Sequence, residues 1–125
     1  MLEINKQVIQ PQADTSYCAT VYIFYEAGSW MLSFPFYCTD LSYEGFRGLF
    51  VSSKENDVDP CSFLEEKKTY SIQLDPINRE LIFPQTKIIL SSIEQTSDSI
   101  QISCSFIDRS KELIDAVNQI KLTTG

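Results

Sequence analysis

No histidine occurs anywhere in the 125 residues. That removes the commonest general base, the usual zinc ligand and the one side chain that titrates near neutral pH. Arginine is scarce, confined to Arg47, Arg79 and Arg109, and there are only four glycines. The four cysteines, Cys18, Cys38, Cys61 and Cys104, are far apart, with no C-x-x-C pair and no metal-ligand rhythm. Three of them lie in apolar runs, where a thiol behaves as a small buried hydrophobe, so four free thiols and no disulfide are expected. No apolar stretch approaches the ~18–20 residues of a membrane helix, so no membrane insertion is expected. The opening MLEINKQVIQPQADTS lacks a charged leader followed by an apolar core and does not read as a signal peptide. A reducing, cytoplasmic setting is the expectation.

Without histidine, an enzyme would need a cysteine or serine activated by lysine or carboxylate, and no such arrangement is visible. A non-enzymatic protein without a metal is expected. The net charge of −7 argues against nucleic-acid polymers and anionic membranes as partners, since both are polyanions.

What is present is a period of two. The runs 17-YCATVYIFYE-26 and 30-WMLSFPFYC-38 are rich in β-branched and aromatic residues, and EAGS with Gly28 between them predicts an antiparallel hairpin. Pro35 lacks an amide donor and predicts an edge or a bulge at that point. A third strand is expected over 46-FRGLFVS-52. The charged stretch 53-SKENDVDPCSFLEEKK-68 reads as a solvated loop, with a helical turn near Phe63 to Glu66 and without the spacing of a calcium loop. Alternation returns in 70-YSIQLD-75 and 99-SIQISCSF-106. Between these two, 80-ELIFP-84 and 86-TKIILSS-92 read as one bent strand broken near Pro84.

Only the C-terminus changes period. In 110-SKELIDAVNQIKL-122, Leu113, Ile114, Val117 and Ile120 share a helical face, and Ser110 or Asp108 is placed to cap it. A strand-rich chain ending in one amphipathic helix is satisfied by a small closed barrel whose core the helix completes, because closure removes exposed edges. Ile72, Leu74, Ile100, Ile102, Cys104 and Phe106 are expected to be buried, covered partly by Leu113, Val117 and Ile120. Both faces of the predicted hairpin also carry large apolar groups, with Tyr17, Val21, Ile23 and Tyr25 opposite Tyr22 and Phe24. That surplus faces either the helix or a binding partner.

The segment 38-CTDLSYEGFRG-48 contains Asp40, Ser42 and Gly45 at the spacing D-x-S-x-x-G. In this context, leading from a second strand into a third, it resembles the signature of the PilZ domain family. The ending 102-ISCSFIDRSKELIDAVNQI-120 resembles the family's closing strand, polar turn and helix. The likeness spans about residues 10 to 122. It implies an all-β fold: a six-stranded antiparallel barrel over 17–107, preceded by an N-terminal arm over 1–16 and followed by a C-terminal helix over 108–125, all one domain.

The resemblance also implies bacterial signalling, with a receptor for cyclic di-GMP or a protein-contact module. The ligand site it implies has Asp40, Ser42 and Gly45 as floor, with Arg47 on the same surface. An arginine arm, R-x-x-x-R, precedes the first strand in the family because guanidinium forks pair with phosphate and guanine edges. Here that place reads 10-QPQADTS-16, with Gln10, Gln12 and Asp14 in place of cations and Lys6 the one cation upstream. The expected function is therefore a non-catalytic adaptor that binds a protein partner and has a degenerate cyclic di-GMP site. Two alternatives stand beside it: a working receptor whose cations come from elsewhere, and a small acidic inhibitor or immunity-type protein. For Asp40, Ser42 and Gly45 the plain alternative is a capped turn, with Asp and Ser bonded to backbone and Gly at positive φ.

Overall fold

The computed structural model describes residues 17–50, 59–77, 80–96 and 99–124. Six strands follow one another: β1 (Ala19–Ala27), β2 (Trp30–Leu41), β3 (Gly45–Phe50), β4 (Thr69–Pro76), β5 (Thr86–Gln95) and β6 (Ile100–Phe106). A helix, α1 (Lys111–Thr124), closes the order. Every strand pairing is antiparallel, and the order β1-β2-β3-β6-β5-β4 returns to β1 as a closed barrel. The all-β barrel with a C-terminal helix is thus the observed architecture.

The hairpin forms where the sequence places it. Ala27 faces Trp30, leaving Gly28 and Ser29 as a two-residue loop. Gly28 has φ +62°, and a glycine at positive φ in the first loop position suits the right-handed twist of the flanking strands.

The period of two becomes burial. On β1 Val21 and Ile23 are fully buried, as are Phe34, Phe36 and Cys38 on β2 and Ile72 and Leu74 on β4. Ile88, Leu90, Ile102, Cys104 and Phe106 complete the barrel interior. Leu113, Val117 and Ile120 of α1 join the same cluster, so the helix completes the barrel core. Ser110 is the cap: its hydroxyl accepts from the Leu113 amide at 3.2 Å, and its carbonyl accepts from Ile114 at 3.0 Å. Glu112 in the first turn and Lys121 in the last complement the helix dipole.

Several local expectations are corrected. Residues 81–85 are not a strand; β5 begins at Thr86. Leu81 and Phe83 still pack on the core, with the Phe83 ring 6.2 Å from that of Phe106, so this apolar run covers the barrel without joining its ladder. The helical turn in the long loop lies earlier than Phe63 to Glu66. It is a 3-10 turn at Pro60–Ser62, begun by Asp59, whose carboxylate accepts from the Cys61 amide. Pro35 is not at a bulge: it faces Tyr22 of β1 across the hairpin. On the other side the described β2–β3 pairing starts one residue later, at Phe36 with Phe50. The register shift on β2 falls between Cys38 and Asp40 instead. Ile100 is only half-buried, because it lies at the end of the barrel opposite Gln95.

Candidate functional site

The Asp40–Gly45 segment connects β2 to β3 and is held on three sides. Within the turn, the Ser42 amide donates to the Gly45 carbonyl at 2.9 Å, and the Ser42 hydroxyl accepts from the Glu44 amide at 3.2 Å. The same hydroxyl donates to the Gly45 carbonyl at 3.4 Å. Towards β6, the Glu44 carbonyl accepts from the Phe106 amide at 2.9 Å. Towards the helix, the Tyr43 hydroxyl donates to Asn118 Oδ1 at 2.6 Å.

Gly45 is required here for a reason other than the expected one. Its φ is not positive; Gly28 is the one glycine with that conformation among the described residues. A Cβ on Gly45 would lie 1.8 Å from the Cys104 carbonyl oxygen and 2.9 Å from the Ser105 Cα. The backbone of β6 occupies the space a side chain would need, so glycine is what lets β3 pair with β6.

Asp40 and Arg47 face each other across β2 and β3, and both are exposed. Among the described residues the Asp40 carboxylate accepts no hydrogen bond, so the expected backbone cap by this aspartate is absent, whereas Ser42 does cap the turn. Asp40, Ser42, Gly45 and Arg47 do come together. They line one shallow groove of about 190 Å³ with Glu44, Phe46, Ser103, Cys104 and Ser105. The β6 wall of that groove was not legible in the sequence. It depends on Gly45 facing Ser105 and Arg47 facing Ser103, pairings between segments nearly 60 residues apart.

The groove's charge is unfavourable for a phosphate. It contains two carboxylates, Asp40 and Glu44, against the single guanidinium of Arg47. It is also smaller than the roughly 300–1,000 Å³ typical of pockets that enclose a small molecule. A larger cleft of about 580 Å³ lies on the outer face of β1 and β4, lined by Tyr17, Thr20, Tyr22, Asp75, Pro76, Ile77 and Leu81. Its one charged side chain is an aspartate, so greater size does not make it the better anion site. The flanking outer groove holds Phe24, Tyr25 and Lys87. The outward-facing aromatics of the hairpin therefore border open surface.

No group of three or more histidine, cysteine or acidic side chains among the described residues is arranged to hold a metal. Among the described residues no helix is long and apolar enough to cross a membrane. Gln10 and Asp14, where the arginine arm is expected, lie outside the described residues, as does most of the run 54–60.

No protein-family model and no curated protein sequence matches the chain. Its fold does match solved structures. The PilZ domain of YcgR from Escherichia coli, solved with c-di-GMP, superposes with a TM-score of 0.60 at 18% identity, over 85% of this chain and 81% of that one. PlzA from Borreliella burgdorferi, also solved in complex with c-di-GMP, gives a TM-score of 0.44 at 20% identity, over 83% of this chain and 43% of that one. With six antiparallel strands closed into a barrel and one helix after the last, the chain has the fold of a PilZ domain.

Proposed function

We propose that this domain is a non-catalytic bacterial signalling adaptor that works by binding a protein partner in the cytoplasm, and that its cyclic di-GMP site is degenerate. One observation carries the reading. Two of the three residues of the D-x-S-x-x-G segment already have structural employment: Ser42 closes its own turn, and Gly45 makes room for the Cys104 carbonyl. The presence of Ser42 and Gly45 needs no ligand to explain it. The groove they floor adds a net negative charge where a ligand with two phosphates would need cations.

The missing arm has a definite size. A hydrogen bond to a charged group contributes about 1.5–3 kcal/mol, so two absent arginines weaken binding by roughly two to four decades. Support for a protein partner comes from the hairpin tip, where Trp30 and Met31 are about half exposed beside Gly28. Large aromatic and methionine side chains at a surface are typical anchors of protein interfaces.

Calorimetric titration with cyclic di-GMP tests the reading. The unmodified chain is expected to show affinity well weaker than micromolar. The double variant Gln10→Arg, Asp14→Arg should bind at least a hundredfold more tightly, because the Asp40–Gly45 floor is intact. Micromolar or tighter binding by the unmodified chain would instead establish a working receptor whose cations lie elsewhere.

A further inference from the structure

The cysteines are not equivalent. All four are free thiols, but two of them meet: Cys18 Sγ lies 3.8 Å from Cys38 Sγ. The Cys18 amide donates to the Cys38 carbonyl at 3.0 Å, so the two backbones lie side by side. The sulfurs need only close from 3.8 Å to a bond length of about 2.05 Å. Neither Cys61 nor Cys104 has another thiol as a hydrogen-bond partner.

Local irregularity creates this meeting. In the regular β1–β2 register Ala19 faces Cys38, which assigns Cys18 to the opposite face of the strand. Cys18 precedes the first residue of β1, and its amide reaches the Cys38 carbonyl out of that register. Cys38 in turn immediately precedes the register shift between Cys38 and Asp40. Both thiols therefore sit where the ladder is broken on one side, and their backbones are less constrained than in mid-strand.

We propose that Cys18 and Cys38 form a redox-active dithiol that a hydroperoxide oxidises to a disulfide. Cys18 is half-buried and is the sulfur an oxidant reaches first; Cys38 is fully buried behind it. The thiol–thiol contact with Cys38 holds the Cys18 thiol below its ordinary range against the opposing effects of burial and of the Asp40 charge, and Lys121 of α1 adds to the lowering. The hydrogen bond with Cys18, followed by burial, pushes the Cys38 thiol far up. The two sulfurs are thus unequal, Cys18 the more readily ionised and Cys38 the less, which is the order a peroxide reaction needs.

The Cys18 thiolate attacks one peroxide oxygen and the O–O bond breaks. The other oxygen takes a proton and leaves as water or alcohol, giving Cys18 sulfenic acid. Cys38 sulfur then attacks Cys18 sulfur, and the sulfenic oxygen departs as water with the Cys38 proton. Two thiols lose two electrons and two protons, and one peroxide becomes two molecules of water or one each of water and alcohol. Closure consumes the proton that Cys38 donates to the Asp40 carbonyl at 3.9 Å, so oxidation acts on the backbone entering the candidate groove.

Treatment of the reduced protein with an equivalent of hydrogen peroxide, followed by thiol counting and peptide mapping, tests this. The four thiols should fall to two, with loss of two hydrogens in intact mass and a linked peptide joining Cys18 to Cys38. A thiol reductant should restore all four. The variant Cys18→Ser, altered at the less buried position, should keep its three remaining thiols under the same treatment; the wild-type mapping does not depend on how this variant folds. Retention of all four thiols, linkage of any other pair, or Cys18 ending as sulfinic acid with Cys38 unmodified would overturn the proposal.

Discussion

Two turns of this barrel each contain a glycine, for opposite reasons. Gly28, in the β1–β2 turn, has φ +62° and nothing within 4 Å of where a Cβ would stand. Gly45, after the β2–β3 turn, has ordinary backbone angles but no room: the Cys104 carbonyl occupies the Cβ position. The first glycine answers to its own torsion, the second to a neighbouring strand. The first turn projects into solvent with Trp30 and Met31 exposed beside it. The second is fastened to β6 through the Phe106 amide and to α1 through Tyr43 and Asn118. A motif that resembles a ligand signature is thus also a joint between three elements, and the joint alone accounts for Ser42 and Gly45.

Substitutions separate the two turns, and the largest effect belongs to Gly45. Gly45→Ala sets a methyl against backbone, which no rotamer change relieves, so a cost of about 3 kcal/mol or more is expected, at or above the upper end of overpacking penalties. Urea denaturation should show a severely destabilised or unfolded chain. Gly28→Ala meets only the left-handed torsion and should cost about 1–2 kcal/mol in the same assay. Equal costs at the two sites would erase the distinction. Ser42→Ala removes one hydroxyl from the second turn and should cost about 0.5–1.5 kcal/mol. An unchanged midpoint would show that the hydroxyl is held for something other than folding. At the first turn, Trp30→Ser should leave stability within about 0.5 kcal/mol, as surface changes do. A larger loss would mean that the exposed tryptophan is part of the fold.

The same two turns mark what the sequence made readable. The hairpin was legible because a two-residue loop with Gly28 and alternating flanks fixes both partners locally. The helix was legible because Leu113, Val117 and Ile120 repeat at its period, and all three are buried. The stretch 81–85 misled because a short apolar run around Pro84 has the composition of a strand while serving as a cover for Phe106. The D-x-S-x-x-G residues were found by their spacing, yet the reason for Gly45 was invisible, since it lies in Cys104, remote in sequence. The thiol pair was hidden for a related reason: alternation assigns Cys18 and Cys38 to opposite faces, and only the break at the start of β1 brings them together.

The central claim is that the Asp40–Gly45 turn serves the fold and not a nucleotide. An amide-resolved NMR titration of the unmodified protein with cyclic di-GMP tests it most directly, because it reads the turn residue by residue. The account predicts that the amides of Ser42, Gly45 and Arg47 stay in place through high-micromolar ligand. Saturable shifts at those amides, with a midpoint at or below micromolar, would contradict it.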